Sequence, residues 1–432
     1  MVRKLNGMIC QHLLEKCKLK FSFQIVLSSV FILTLSSFAL TNKIVVDKNT
    51  SSNSIKEAIA LANPYDEIII KKGFYSEGNI IIDKPLRIIG NEFPILDGGN
   101  KEEIFTVISD SVFISGIIFK NAGVSYLKEN AAVRIENVKS CSVIDCKFYG
   151  NFFGVYIAAS NDCLIKNNFI KSYGKSETSS GNGIHLWNCS KIIISNNEIS
   201  GHRDGIYLEF VKDALIEKNH SKNNLRYGLH FMFSDGCTYA ENKFEYNGAG
   251  VAVMYTKNVI MKNNSFNNNW GPASYGLLLK DISESRIDKN MFLENTTGVY
   301  LEGCSKSTFE NNVFDKNGWA IKLMANSTNN TFSQNDFLSN TFDLSTNSQQ
   351  NFNTFNKNYY SKYTGYDLDK NGIGDVPYRP VKLYSIMVEQ QKPALVLINS
   401  LFIELLDIAE SVFPSLTPET LVDEQPILRK IN

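Results

Sequence analysis

Residues 165–360 carry a polar pattern that repeats. The segments IKNNFI (from 165), ISNNEI (194), IEKNHS (216), YAENKF (239), MKNNSF (261), IDKNMF (287), FENNVF (309), FSQNDF (332) and FNKNYY (355) all have asparagine in the fourth place. These are Asn168, Asn197, Asn219, Asn242, Asn264, Asn290, Asn312, Asn335 and Asn358, at intervals of 29, 22, 23, 22, 26, 22, 23 and 23 residues. A glycine column runs in phase: GVYI (154), GIHL (183), GIYL (205), GLHF (228), GVAV (250), GLLL (276), GVYL (298), with AIKL (320) closing it. Short alternating segments with a period near 22 and Asn/Gly corners predict an all-β fold, a right-handed parallel β-helix. Each coil of short strands stacks about 4.8 Å above the last, and the stack supplies the core that no coil has alone. The asparagines are expected to form a ladder from coil to coil, and the glycines to permit sharp corners. Extra residues fall in two long coils, around 171–182 and 267–274.

Alternation assigns faces. After Gly228, Leu229 and Phe231 point inward and His230 and Met232 outward. One outward column then reads Arg134, Tyr156, His185, Tyr207, His230, Ala252, Leu278, Tyr300, Lys322, and the next Glu136, Ala158, Trp187, Glu209, Met232, Met254, Lys280, Glu302, Met324. Upstream, SSNSIKEAIALANP (51–64) predicts an amphipathic helix that caps the N-terminal end of the stack.

Arg3, Lys4, Lys16, Lys18 and Lys20 precede an apolar run from Phe21 to Leu40, which reads as a secretory signal. The expected organisation is a signal peptide (1–40), an N-terminal strand and capping helix (41–64), the β-helix (65–365), an Asp/Asn-rich loop and connector (366–391), and an apolar helical tail (392–432). Lys+Arg and Asp+Glu both number 44, so no basic field points to nucleic acid. Six cysteines follow the signal, Cys141, Cys146, Cys163, Cys189, Cys237 and Cys304, with no CxxC pair. Their places in the repeat predict packed free thiols rather than redox chemistry.

Two segments carry candidate metal chemistry. His230, Met232 and Met254 fall together on adjacent coils, and imidazole with thioether suits Cu(I). His185, Trp187, Tyr207 and Glu209 share that face, which reads equally as a protein-docking surface. In YDLDKNGIGDVPYRP (366–380), Asp367, Asp369, Asn371 and Asp375 take positions 1, 3, 5 and 9 of an EF-hand-like calcium loop, although position 12 is Tyr378 rather than Glu. A plain Asx-turn loop fits the same residues. The tail, PALVLINSLFIELLDIAESVF, predicts an apolar helix of about twenty residues. Its mid-segment acids argue against a simple membrane span. Leu401, Phe402, Leu405, Leu406 and Phe413 are its candidate docking residues.

As an enzyme the chain offers one compact charged triplet, His202–Arg203–Asp204, in a bend between coils, with Glu209 and Arg226 within reach. A carbohydrate-binding protein, or a polysaccharide lyase or epimerase on this fold, is the alternative function.

The segments SIKEAIALANPYDEIIIKKGFY, RYGLHFMFSD, YDLDKNGIGDVPYRP and PALVLINSLFIELLDIAESVFPSLTPETLVDEQP together resemble the NosD family, over about residues 43–430. The resemblance implies a periplasmic, non-enzymatic β-helix component of nitrous oxide reductase maturation. It further implies an ABC permease and its ATPase, a copper chaperone lipoprotein and apo nitrous oxide reductase as partners. The task implied is assembly of the copper–sulfur site, with copper handled in transit and the tail seated on the permease.

Overall fold

The computed structural model describes residues 42–125, 129–348, 350–398, 400–412 and 421–431. The expected signal peptide lies outside them. From Lys43 to Tyr360 the chain is a right-handed solenoid of about fourteen coils, built from three parallel sheets of 14, 12 and 13 strands. Successive coils pair in register: Tyr207 with His230, His230 with Ala252, and Met232 with Met254.

The asparagine column is a continuous ladder. Each side-chain amide donates to the next coil's Asn Oδ1, as in Asn219 to Asn242 and Asn242 to Asn264, both 3.0 Å. The same oxygen also accepts the backbone N–H below it, and the amide's second hydrogen goes to a strand carbonyl. Four bonds per buried asparagine satisfy a backbone bend that would otherwise lose its partners. A second ladder, five residues on, runs through Asn224, Asn247, Asn269, Asn295, Asn317 and Asn340. Inside the stack, Phe266, Phe292, Phe314, Phe337 and Tyr360 lie nearly parallel at centroid spacings of 4.7 to 5.1 Å.

The glycine column has a different cause from the one expected. Gly228 does not have positive φ; a Cβ there would sit 2.6 Å from the carbonyl oxygen of Gly250 on the next coil. The left-handed corners lie instead just before the ladder, at Asn196, Lys218, Glu241, Asn263 and Lys289, with φ of 54 to 56°. Close approach, not turn geometry, selects glycine here.

Helix Ile55–Leu61 starts at Ser54, whose hydroxyl accepts the Glu57 N–H. It buries Ile55, Ala58 and Ile59 on the first coils, as its amphipathic pattern predicts. The six cysteines are all buried and free. Burial drives the thiols of Cys146, Cys237 and Cys304 up to about 12.

The C-terminal segment departs from a single helical tail. It forms helix Leu383–Gln390, a 3-10 turn Lys392–Leu397 begun by Pro393, and helix Leu401–Val412. Proline lacks the N–H that a continuous α-helix requires, and the chain restarts at Ser400. Residues 421–431 then return to the β-helix. Asp423 stands where the next ladder asparagine would, accepting from Asn358 N at 3.0 Å and Asn358 Nδ2 at 2.9 Å. Ile427 N donates to Asn358 O, so the last coil is covered by the chain's own end.

Candidate functional site

The outer face of the 12-stranded sheet brings the opening candidates together, with one correction. His185, Tyr207 and His230 are buried rather than exposed. The reason is stacking: Tyr156, His185, Tyr207 and His230 follow one another at 4.8, 4.7 and 5.0 Å between ring centroids. Rings repeated at the coil spacing cover each other, and Phe153 and Tyr227 close the sides. Alternation fixes which side of the sheet a residue occupies; it does not fix whether water reaches it. Trp187 remains 41% exposed and Glu209 half-buried, so of the four expected docking residues only these two are accessible.

His185 accepts from Asn182 Nδ2 at 3.0 Å through Nδ1. Burial drives its pKa down to about 3, so it is a neutral ring. His230 lies in a polar cluster assembled by three coils. The fully buried Asp204 carboxylate takes a two-pronged bond from Arg226, Nε to Oδ1 at 2.9 Å and Nη2 to Oδ2 at 2.6 Å. Nδ1 of His230 is 3.5 Å from Asp204 Oδ2 and 3.3 Å from Arg226 Nη2. Burial works to raise the Asp204 pKa, but hydrogen bonds from His230 and Arg226 outweigh it and hold the group below the usual carboxylate range. Nε2 of His230 is buried and has no hydrogen-bond partner among the described residues.

Met232 and Met254 are register partners on neighbouring coils, so their backbones lie about 4.8 Å apart, and both are partly exposed. Tyr207 Oη approaches Met232 Sδ at 3.6 Å. His230 is two residues before Met232 on the same face, about 6.6 Å along the strand. One imidazole and two thioethers on one face are donor types that suit a soft ion. Among the described residues no three His, Cys, Asp or Glu side chains converge on a common point.

The same face carries an unexpected ridge. Phe210, Phe233 and Tyr255 are stacked at 5.2 and 5.1 Å and are 42 to 46% exposed. Each has positive φ, 49 to 54°, where neighbouring coils place Asn188, Asp281 and Gly303. Left-handed backbone disfavours bulky residues, and exposed rings gain little from burial, so folding alone does not explain them. The signal was legible as an aromatic one residue after each of Glu209, Met232 and Met254.

The remaining candidates separate. His202 is buried, with both ring nitrogens unpartnered among the described residues and its pKa driven down by burial to about 4. Asp204 turns away from it to Arg226, so the triplet does not form an acid–base groove. In the 366–375 loop, Asp367 accepts from Asn371 N and Gly372 N, Asp369 from Asn371 N and Nδ2, and Asp375 from Leu368 N. The carboxylates thus brace the loop's backbone, as in Asx turns. On helix Leu401–Val412, Leu401, Phe402, Leu405 and Ile408 are exposed. Leu406 instead packs inward against the cluster of Phe342, Tyr384, Val388 and Ile403. Phe413 lies outside the described residues.

Residues 171–365 match the model of the family described as periplasmic copper-binding protein (NosD). The chain is 27% identical over 399 residues to a Pseudomonas aeruginosa protein named "Probable ABC transporter binding protein NosD", covering 82% of this chain and 86% of the relative. A Stutzerimonas stutzeri protein of the same name is 24% identical over 373 residues, covering 82% and 85%. Among solved structures, a Yersinia enterocolitica family 28 exopolygalacturonase aligns with TM-score 0.61 at 10% identity over 76% of this chain and 79% of that one. The Dettilon tailspike protein aligns with TM-score 0.56 at 14% identity over 74% and 68%. At such identities these two show a shared solenoid fold alone. Over residues 171–365, and more loosely over most of its length, the chain is thus similar to NosD proteins.

Proposed function

We propose that this protein is a non-enzymatic, periplasmic accessory subunit of an ABC transporter that holds Cu(I) in transit during assembly of the copper–sulfur site of nitrous oxide reductase. One observation carries the copper reading: Met232 and Met254 are paired in register, and His230, two residues before Met232 on the same face, has an Nε2 without a hydrogen-bond partner among the described residues. Thioethers and one imidazole bind Cu(I) in preference to harder divalent ions, and a partly exposed site releases its ion to a competing protein. Copper is cargo here. Asp204 and Arg226 both face Nδ1: a proton donated from Nδ1 to Asp204 would leave the Nε2 lone pair free for the ion, whereas Arg226 donating to Nδ1 would place the proton on Nε2.

The ridge of Phe210, Phe233 and Tyr255, flanked by Trp187, suits a protein that docks over the two thioethers. The copper chaperone lipoprotein and the apo-reductase would use it by turns. The exposed side chains Leu401, Phe402, Leu405 and Ile408 suit the permease, whose ATPase would drive the exchange. The names of the family and the curated relatives support copper and an ABC transporter respectively; the chaperone and reductase rest on family resemblance alone. In the aspartate loop the carboxylates already accept backbone N–H groups and keep further lone pairs that a calcium ion could use.

Cu(I) titration against a competing chelator tests the site. His230→Ala, Met232→Ala, Met254→Ala is expected to lose one equivalent of bound copper. Unchanged stoichiometry and affinity sink the reading. For the tail, Leu401→Asp with Leu405→Asp is expected to abolish co-purification with the permease. These point changes are preferable to deleting residues 392–432, which would also remove the Asp423 cap.

A further inference from the structure

The long coils of the N-terminal half build a second cleft. Register pairs Phe119 with Phe148 and Ile170 with Ile199, each 29 residues apart, whereas Phe148 pairs with Ile170 after only 22. Extra residues therefore extend the loops on both sides of one short coil. Asn121 and Val124 after Lys120, and Tyr173 to Lys175 with Ser179 to Gly181 after Lys171, stand as walls, and Gly150 to Phe152 of the short coil make the floor. The walls are two coils apart, about 9.6 Å backbone to backbone. They enclose a cleft of about 390 Å3, within the usual range for a small-ligand site. Repeat proteins place such insertions on the face they use for binding, because the solenoid itself does not need them.

The lining indicates the ligand. Tyr173 offers a ring that is 65% exposed at the rim, and Phe152 lies at the floor. Ser180 lines the cleft with its hydroxyl buried, 5% exposed as a residue, and without a hydrogen-bond partner among the described residues. Among the described residues Lys175 is the one charged side chain lining the cleft. A slot this narrow excludes an α-helix, which is about 10–12 Å across with its side chains. An extended peptide would need free backbone edges, but Gly150 N, Ser172 N and Gly174 N already bond to Lys171 O, Ser200 O and Gly201 O. An aromatic face beside hydroxyls is suited to a sugar ring, whose C–H face is apolar and whose rim is polar.

We propose that this cleft binds a short saccharide segment, one pyranose ring lying on Tyr173 and a sugar hydroxyl bonding Ser180 Oγ, with Lys175 admitting a uronate carboxylate. The site is separate from the copper reading and does not depend on it. Titrating the full chain with chitotetraose and with tetragalacturonate, by calorimetry and saturation-transfer NMR, tests it. Saturable binding of at least one tetrasaccharide is expected. Tyr173→Ala is expected to weaken it about ten-fold or more, and Ser180→Ala to weaken it measurably. Lys175→Ala is expected to weaken tetragalacturonate relative to chitotetraose. His230→Ala with Met232→Ala is expected to leave saccharide binding intact, which separates this result from that of the copper titration. Three outcomes would each overturn the proposal: no saturable binding of either saccharide, binding unaffected in both Tyr173→Ala and Ser180→Ala, or displacement by extended peptides that bind more tightly.

Discussion

Asn264→Ala measures what one rung of the ladder contributes. Asn264 is 1% exposed. Its Nδ2 donates to Asn290 Oδ1 at 3.0 Å and Tyr239 O at 2.9 Å, and its Oδ1 accepts from Asn242 N and Asn242 Nδ2, both at 3.0 Å. Alanine deletes all four. At about 0.5–1.5 kcal/mol net per bond the loss is about 2–6 kcal/mol, and the Asn242 N–H left buried without its acceptor pushes the value toward the upper half. An expected cost of about 3–5 kcal/mol follows. The neighbouring Asn263 is the control: it is exposed, with φ of 54°. Asn263→Ala loses only asparagine's tolerance of left-handed backbone, about 1 kcal/mol. Urea unfolding followed by circular dichroism gives both values, and hydrogen exchange at the Asn242 amide reports the local opening. Stacked repeats can lose one interface before the whole unfolds, so the exchange measurement is the more direct. If Asn264→Ala costs under about 1 kcal/mol, or no more than Asn263→Ala, and Asn242 stays protected, the ladder is not holding the bend.

Three further outcomes are expected. Asp204 has a folded pKa below its unfolded value of about 3.9, so its stabilisation is present above that pH and is lost as pH falls through the folded value. Asp204→Asn should therefore cost about 3 kcal/mol near neutral pH, by stranding Arg226, and less at pH 3; a urea-midpoint difference that widens in acid contradicts this. Cys146, Cys237 and Cys304, buried with pKa values near 12, should resist iodoacetamide at pH 8 in native protein and react fully in denaturant, as read by mass spectrometry. Native-state labelling at the rate of a free thiol would show that the core opens. Asp423→Ala should release residues 421–431, seen as faster amide exchange at Lys357 and Asn358, while exchange in the coils around Asn219 stays unchanged.

The solenoid is legible because its causes are periodic. Asn219, Asn242 and Asn264 recur at the coil length, and so do the residues facing them. The second ladder was equally legible, as an asparagine five residues after each of Asn219, Asn242, Asn264, Asn290, Asn312 and Asn335. The burial of His185 and His230 was not. It depends on ring size in consecutive coils and on Asn182 and Tyr227 reaching over the strand, and alternation carries neither. The return of the chain end was also hidden. Asp423 reaches Asn358 across 65 residues, and nothing local marks it as the ladder's last member. The 366–375 loop shows a third limit: spacing alone does not reveal that Asp367 and Asp369 accept their own loop's backbone N–H groups.

Because the coils are rigidly in register, the fold also works as a ruler. In the 12-stranded sheet the Phe342–Thr346 strand, against which helix Leu383–Gln390 packs, lies five strands beyond Tyr227–Met232. Five steps of about 4.8 Å set the Met232 row about 24 Å from the row that carries the tail helices. Adding or removing one whole coil between them would change that distance by a single fixed increment and leave both ends chemically intact. The number of coils is thus itself a quantity that selection can adjust, and it determines how far Met232 and Met254 stand from the C-terminal helices.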